Sequence, residues 1–305
     1  VIVVVCPGQG SQTPGFLSPW LELEGARERL AAYADAAQLD LLAAGTEWDA
    51  DRIRDTSVAQ PLIVAASLLS WHALTADGAR PSGVAGHSVG ELAALAAAGV
   101  VSDQAAMTIV GARGRAMAEA AALADTGMSA VVGGVEEQVL EVIAAHDLEP
   151  ANYNGGGQIV AAGTKPGLAA LAENAPRGAR VIPLQVAGAF HTRHMALAKD
   201  ALQAAVDEAS GVVADPTLLL WSNSDGRPVG TGARALELIV HQVASPVRWD
   251  LCMASFADHG VTGIIELAPA GALVGLAKRG LKGVPAVAVK TPEDLEAARE
   301  LLAAA

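Results

Sequence analysis

Aromatic side chains are scarce in this chain, at 3% of 305 residues. Filling the core therefore falls to Ala, Val and Leu, and helices are expected to pack closely on small side chains. Cysteine is scarcer still. Cys6 and Cys252 make neither a disulfide framework nor a metal-ligand spacing, so no metal is expected and a reducing, cytoplasmic setting is. Positive charge is short, with 20 Lys and Arg against 33 Asp and Glu and a net charge of −13, which argues against general nucleic-acid binding. Only 17% of residues are charged and 52% are hydrophobic, which excludes a disordered chain. No apolar run reads as a membrane span, because the most apolar stretch, 83–100, carries His87, Ser88 and Glu91 at its centre. The opening residues lack a basic region and stop at Pro7-Gly8, so no signal peptide is read there. A chain of this length buries roughly 75% of its unfolded surface, enough for an enzyme core in one or two domains.

Residues 1–5 form a continuous β-branched run, the pattern of a strand buried on both faces of a parallel sheet. Pro7-Gly8-Gln9-Gly10 ends it in a turn. A helix is expected over 61–75, a strand over 83–85, and Ala-rich helices over 89–98 and 103–122. Strand, turn and helix alternate, as in a doubly wound α/β core. From 127 to 187 the rhythm changes to strand 128–132, helix 136–145, strands 150–154 and 158–162, helix 165–173 and strand 179–186. That βαββαβ order is the split-βαβ, ferredoxin-like unit. Residues 1–126 and 188–305 are accordingly assigned to the core and 127–187 to an insertion. The resumed core shows strands near 218–221 and 263–267, and a last helix announced by Thr291 as N-cap, Pro292 at its first position and Glu293 and Asp294 in its first turn.

Gly86-His87-Ser88-Val89-Gly90 matches G-x-S-x-G between a predicted strand and a predicted helix. In such an elbow the flanking glycines let strand and helix approach, and the strained turn lifts the serine hydroxyl out of the sheet. The Val89 N–H then faces an oxyanion. A plainer reading takes Ser88 and Glu91 as an S-x-x-E capping box. A nucleophilic serine needs a base, for which seven histidines compete: His72, His87, His146, His191, His194, His241 and His259. His72 and His146 fall on helix surfaces, where solvation is the default. For His191, base and structural histidine stand level on pattern alone. The Gly8-Gln9-Gly10 turn is no dinucleotide fingerprint, since Thr13 occupies the third glycine position.

Pro7-Gly8-Gln9-Gly10-Ser11-Gln12, Gln60-Pro61, the elbow through Glu91, Arg113-Gly114, Asn152 to Asn154, Gly188-Ala189-Phe190-His191 and Gln242 follow one another in an order that resembles the malonyl-CoA:acyl carrier protein transacylases over essentially the whole chain. The resemblance implies an α/β-hydrolase-like core with a parallel sheet and the inserted ferredoxin-like subdomain. It implies Ser88 as nucleophile, His191 as base, and the Gln9 and Val89 N–H groups as oxyanion donors. Gln242 becomes the residue whose main-chain carbonyl orients His191, with a replaceable side chain. Arg113, on the second of two short helices, becomes a bidentate clamp on the malonyl carboxylate, and Arg115 a surface residue. Phe190 resembles its counterpart in malonyl-selective members, where a ring crowds an α-methyl group, whereas Gly188 departs from the histidine common there in polyketide acyltransferases. Gln60, Asn152 and Asn154 match polar residues around the family's site, although Asn154-Gly155 reads equally as a turn.

The implied partners are malonyl-CoA and acyl carrier protein, for fatty acid or polyketide synthesis, with no tightly bound cofactor, no nucleic acid, no membrane and no need of more than a monomer. Both substrates are anionic. The stretch between Leu267 and Pro292 holds Lys278, Arg279, Lys282 and Lys290 without Asp or Glu, so Lys278, Arg279 and Lys282 are expected to form a basic rim, together with Arg193 and Arg248. The plainer reading places cations at a helix C-terminus. Two rival functions share these residues: a serine hydrolase using Ser88 and His191 with water as acceptor, and a non-catalytic module that binds carrier protein.

Overall fold

The computed structural model describes residues 1–209 and 211–304; Ser210 and Ala305, both within the stretch assigned to the core, lie outside the described residues. The chain begins with β1 (Ile2–Cys6), α1 (Ala26–Ala37), α2 (Leu41–Thr46), α3 (Thr56–Leu74), β2 (Gly83–Gly86), α4 (Gly90–Ala97) and α5 (Asp103–Ala122). Then come β3 (Thr126–Gly133), α6 (Glu136–Ala145), β4 (Glu149–Gly155), β5 (Gln158–Thr164), α7 (Lys165–Glu173) and β6 (Ala179–Pro183). It returns through α8 (Ala198–Ala209), β7 (Leu219–Trp221), α9 (Gly232–Gln242), β8 (Val247–Arg248), α10 (Trp249–Asp258), β9 (Gly263–Glu266), α11 (Ala272–Gly280), β10 (Ala286–Ala288) and α12 (Leu295–Ala303).

The main sheet has the order β10-β9-β1-β2-β7, and every pair in it is parallel. All five residues of β1 are buried, as its unbroken β-branched run predicts. Ile2, Val4 and Cys6 face a core shared with α1, α3, α4 and α5, while Val3 and Val5 face Trp221, Trp249, Phe256 and Leu273. The two-residue period of a strand thus feeds two helical layers from one short segment. The second sheet has the order β6-β3-β5-β4-β8. Its first four strands are mutually antiparallel neighbours in the ferredoxin-like arrangement, with α6 and α7 connecting them. The fifth, β8, comes from the returning core and pairs in parallel with β4, setting Asn152 opposite Val247. The small sheet is therefore not built from residues 127–187 alone.

Several elements depart from the sequence expectation. α3 starts at Thr56, because Asp55 caps it by accepting the Ser57 N–H at 2.8 Å, and Pro61 is accommodated inside the helix. This helix is long and apolar enough to cross a membrane by length and composition, but it is buried among other helices. The helix that carries Arg113 has the expected bounds, 103–122, but at 20 residues, capped by Ser102, it is not short. The last helix opens as a 3₁₀ turn, Pro292–Asp294, with Thr291 and Asp294 in a reciprocal capping box. His72 is not a solvated surface residue: its Nε2 lies 2.6 Å from Asp103 Oδ2 at the start of α5.

The turn between β2 and α4 explains its own glycines. A Cβ on Gly86 would lie 2.0 Å from the Gly90 carbonyl carbon, and one on Gly90 would lie 2.2 Å from the Cys6 oxygen. Ser88 between them holds a left-handed φ of 54°, a strained state for a residue with a side chain. Gly86→Ala is expected to cost about 3 kcal/mol or more in a denaturant or thermal unfolding measurement. Gly275→Ala, in α11 where an added Cβ meets nothing within 4 Å, is expected to gain roughly 0.5–1 kcal/mol.

Candidate active site

Ser88 stands at the carboxyl end of the parallel sheet, the usual place for a site in such folds. Its Oγ is 2.7 Å from His191 Nε2, and His191 Nδ1 is 2.9 Å from the Gln242 carbonyl oxygen. A carbonyl only accepts, so Nδ1 carries the proton and Nε2 is left to take one from the serine. Gln242 is the last residue of α9, where the i+4 partner is lost, and its carbonyl accepts the Ser245 N–H at 3.1 Å with a lone pair left for the imidazole. The next carbonyl, of Val243, accepts the His191 backbone N–H at 3.0 Å. Two consecutive carbonyls thus hold backbone and ring, with His191 itself at φ 61°. Burial, reinforced by the Arg113 charge, pushes the imidazole down to about 3, so it is unprotonated at neutral pH and its Nε2 is open to a proton.

The turns after β1 and β2 touch, since a Cβ on Gly8 would lie 3.0 Å from the His87 oxygen. Gln9 and Val89 are thereby brought to one side of Ser88, and both line the same cavity. Neither backbone N–H donates to another group among the described residues. The Gln9 side chain turns away and donates to the Arg54 carbonyl at 3.4 Å. Val89, not Ser88, is the residue before α4, and no side-chain cap forms there. The capping-box reading of Ser88 and Glu91 therefore fails. Glu91 is buried instead, accepting from the Asn223 N–H through Oε1 and from Gln242 Nε2 through Oε2. Burial raises its carboxyl to about 7, with these hydrogen bonds and Arg113 opposing.

Arg113 reaches Ser88 from α5 and is 1% exposed. Its Nη1 donates to Gln60 Oε1 at 2.7 Å, its Nη2 to Gln242 Oε1 at 2.8 Å, and Nη2 lies 3.4 Å from Ser88 Oγ. Burial lowers it to about 10 against the pull of Glu91, so it stays a cation. The amides take one N–H from each Nη, the second N–H of Nη2 is directed at Ser88 Oγ, and the buried Nε has no partner among the described residues. The Gln242 side chain is not idle: it accepts from Arg113 and donates to Glu91 and, at 3.0 Å, to the Ser88 carbonyl. Arg115 is exposed, as expected.

A cavity of about 400 Å³ opens over Ser88 between the two sheets. Met117, Met128, Val160, Leu184, Val186 and Phe190 supply apolar walls, and Asn152, Asn154 and Gln158 polar ones. Phe190 precedes His191 and is 6% exposed. Gly188 has a packing reason for its departure, because a Cβ there would lie 2.5 Å from that of Ala121. Asn154 belongs to β4 and makes no turn; its Oδ1 is 2.9 Å from His87 Nε2, and its Nδ2 donates to Gln158 Oε1 at 2.9 Å. Arg279 lines the cavity, while Lys278 and Lys282 are exposed beyond it, and Lys278 and Arg279 also fall in the last turn of α11. Arg193 and Arg248 do not add free charge to that rim, since Arg193 pairs with Asp147 and Glu149, and Arg248 with Asp250. Asn223 went unnoticed in the sequence. It follows β7 at the same sheet end, and its Oδ1 accepts the Ser88 N–H at 2.8 Å. A polar residue just past an apolar strand was the available signal.

Residues 3–298 match the acyl transferase domain family. The chain is 52% identical to the malonyl CoA-acyl carrier protein transacylase of Mycobacterium tuberculosis strain H37Rv, over 97% of this chain and 98% of that one. The crystal structure of the M. tuberculosis protein superposes with a TM-score of 0.94, at 52% identity and the same coverage. A malonyl-transacylase solved in complex with its type II PKS acyl-carrier protein aligns at a TM-score of 0.92 and 29% identity, over 98% of this chain and 99% of that one. The elbow serine, its carbonyl-oriented histidine and the buried arginine thus sit in a chain that belongs to the acyl transferase domain family, among the malonyl CoA-acyl carrier protein transacylases.

Proposed function

We propose that this protein moves a malonyl group from malonyl-CoA to the phosphopantetheine thiol of acyl carrier protein through a malonyl-Ser88 ester, in the cytoplasm, for fatty acid or polyketide synthesis. The observation that carries the reading is a buried guanidinium 3.4 Å from the nucleophile. The carboxylate of a malonyl group is two bonds from the carbonyl carbon that Ser88 attacks, on the side where Nη2 of Arg113 is directed at Ser88 Oγ. A hydrolase of neutral esters has no use for a buried cation at that point.

In the first half-reaction Nε2 of His191 takes the Ser88 proton as Oγ attacks the thioester carbonyl. The Gln9 and Val89 N–H groups receive the oxyanion, and His191 returns the proton to the departing coenzyme A thiolate. In the second half the carrier-protein thiol gives its proton to His191 and attacks the ester, and the proton goes back to Ser88. Protons and bonds balance with these groups alone, so the reading needs no resident cofactor. The apolar walls of the cavity suit the pantetheine arm of either substrate. Phe190 beside the base disfavours an α-methyl branch. Lys278, Arg279 and Lys282 supply positive charge for two acidic partners.

Intact-mass measurement after mixing with malonyl-CoA is expected to show a malonyl adduct that is absent in Ser88→Ala and discharged by carrier protein. Arg113→Ala is expected to slow malonyl acylation by about 10²–10³-fold and acetyl acylation far less, because only the malonyl carboxylate loses its partner. Steady release of coenzyme A without an adduct would favour the hydrolase.

The pH dependence follows from His191. Its proton affinity is held low by burial and Arg113, so the acid limb of kcat/KM for malonyl-CoA should lie well under the ordinary histidine range of about 6.5. Removing the positive neighbour removes one lowering cause, so the limb should move to higher pH in Arg113→Ala. A parent profile breaking at the ordinary histidine value contradicts the burial argument.

Charge reversal at Lys278 and Arg279 should raise KM for carrier protein, with the effect fading as salt is added. An unchanged, salt-insensitive KM removes the basic rim.

A further inference from the structure

The strained elbow needs something to hold it, and the carboxamide of Asn223 is placed to do so. Ala85 in β2 stands opposite Trp221 in β7. Two residues further along each chain, Asn223 arrives beside the His87 peptide segment. Its Oδ1 accepts the Ser88 N–H at 2.8 Å, and its Nδ2 donates to the Gly86 carbonyl at 2.7 Å. One planar amide therefore spans the turn, satisfying an acceptor before His87 and a donor after it. The residue is fully buried. Its own backbone is tied at both ends, the N–H to Glu91 Oε1 and the carbonyl to the Arg248 N–H at 2.8 Å. Glu91 is in turn gripped by Gln242.

From this geometry we infer that Asn223 is a positioning residue for the acylation step, fixing the nucleophile and sorting the elbow's N–H groups. Ser88 at φ 54° sits in a region that a residue with a side chain occupies only when its surroundings over-determine it. The Asn223 carboxamide over-determines it from both sides, which keeps Oγ 2.7 Å from His191 Nε2. The same contact turns the Ser88 N–H into the protein, so the oxyanion is left to Val89 and Gln9. Asn223 makes no hydrogen bond to Arg113, and its link to the Gln242 amide that holds Arg113 is long, at 3.4 Å, against 2.8 Å to the Ser88 N–H, so its loss should fall chiefly on the rate of ester formation. Only a neutral side chain with both an acceptor and a donor meets the two demands. An ionised aspartate would accept from Ser88 but face the Gly86 carbonyl with a second oxygen, and would add a charge beside Glu91.

The inference rests on the malonyl-transfer reading, and the parent protein separates the two: an unacylated parent overturns that reading, whereas an acylated parent lets the variants judge Asn223. The experiment is rapid-quench acylation with malonyl-CoA, read by intact mass, on the parent, Asn223→Ala and Asn223→Asp, with circular dichroism to establish folding. Asn223→Ala is expected to acylate on the order of 10²-fold more slowly, with KM for malonyl-CoA within about threefold of the parent. Asn223→Asp supplies a signature that a merely structural role does not. When protonated it donates and accepts as asparagine does, so its rate relative to the parent should be highest at low pH and fall as pH rises. Equal rates for a folded Asn223→Ala and the parent overturn the inference. If the alanine variant does not fold, a relative rate for Asn223→Asp that stays flat with pH overturns it instead.

Discussion

The Gln242 carboxamide stands between a buried cation and a buried carboxylate, accepting from Arg113 at 2.8 Å and donating to Glu91 at 2.6 Å. Neither charge is isolated, since each has a strong dipole against it, yet neither is cancelled by direct contact. An unpaired guanidinium in this interior would be costly, and one locked to a carboxylate would have no charge left to offer. The same residue donates to the Ser88 carbonyl and orients His191 through its own carbonyl. Ser88, His191 and Arg113 are therefore referenced to one position at the end of α9, so a shift there is felt by all three at once.

This arrangement also accounts for a base oriented by a carbonyl. An aspartate at that position would hold the imidazole proton more tightly and set a further negative charge against the Arg113 cation. A carbonyl fixes the tautomer without either effect. Burial and the Arg113 charge keep His191 neutral. A carboxylate placed against Arg113 would screen part of that positive field and so raise the proton affinity of His191.

The cavity depends on two sheets from different parts of the chain. β8 returns from the core to pair with β4, and this ties the groove wall bearing Asn152 and Asn154 to the segment that follows Gln242. Asn154 then reaches His87 beside Ser88, so the small sheet contacts the elbow itself. Asn223 serves on the opposite flank, where β7 ends.

Local sequence was enough wherever local physics decided the structure. The unbroken β-branched opening marks a strand with two buried faces, the βαββαβ rhythm marks the small sheet, and the glycines around Ser88 mark the elbow because no Cβ fits against Gly90 or Cys6. Helix α3 was misplaced at its start because Pro61 reads as a first-turn residue, while the cap that sets the end is Asp55. The resemblance singled out His191, Arg113 and Gln242, but it left the Gln242 side chain without work and passed over Asn223. Those contacts join residues 103, 129, 135 and 154 positions apart. No periodicity or spacing encodes which polar side chain fills a buried corner at that separation. The packing of α5, α9 and β7 around the elbow decides it, because each polar atom brought into that corner has to find its partner there.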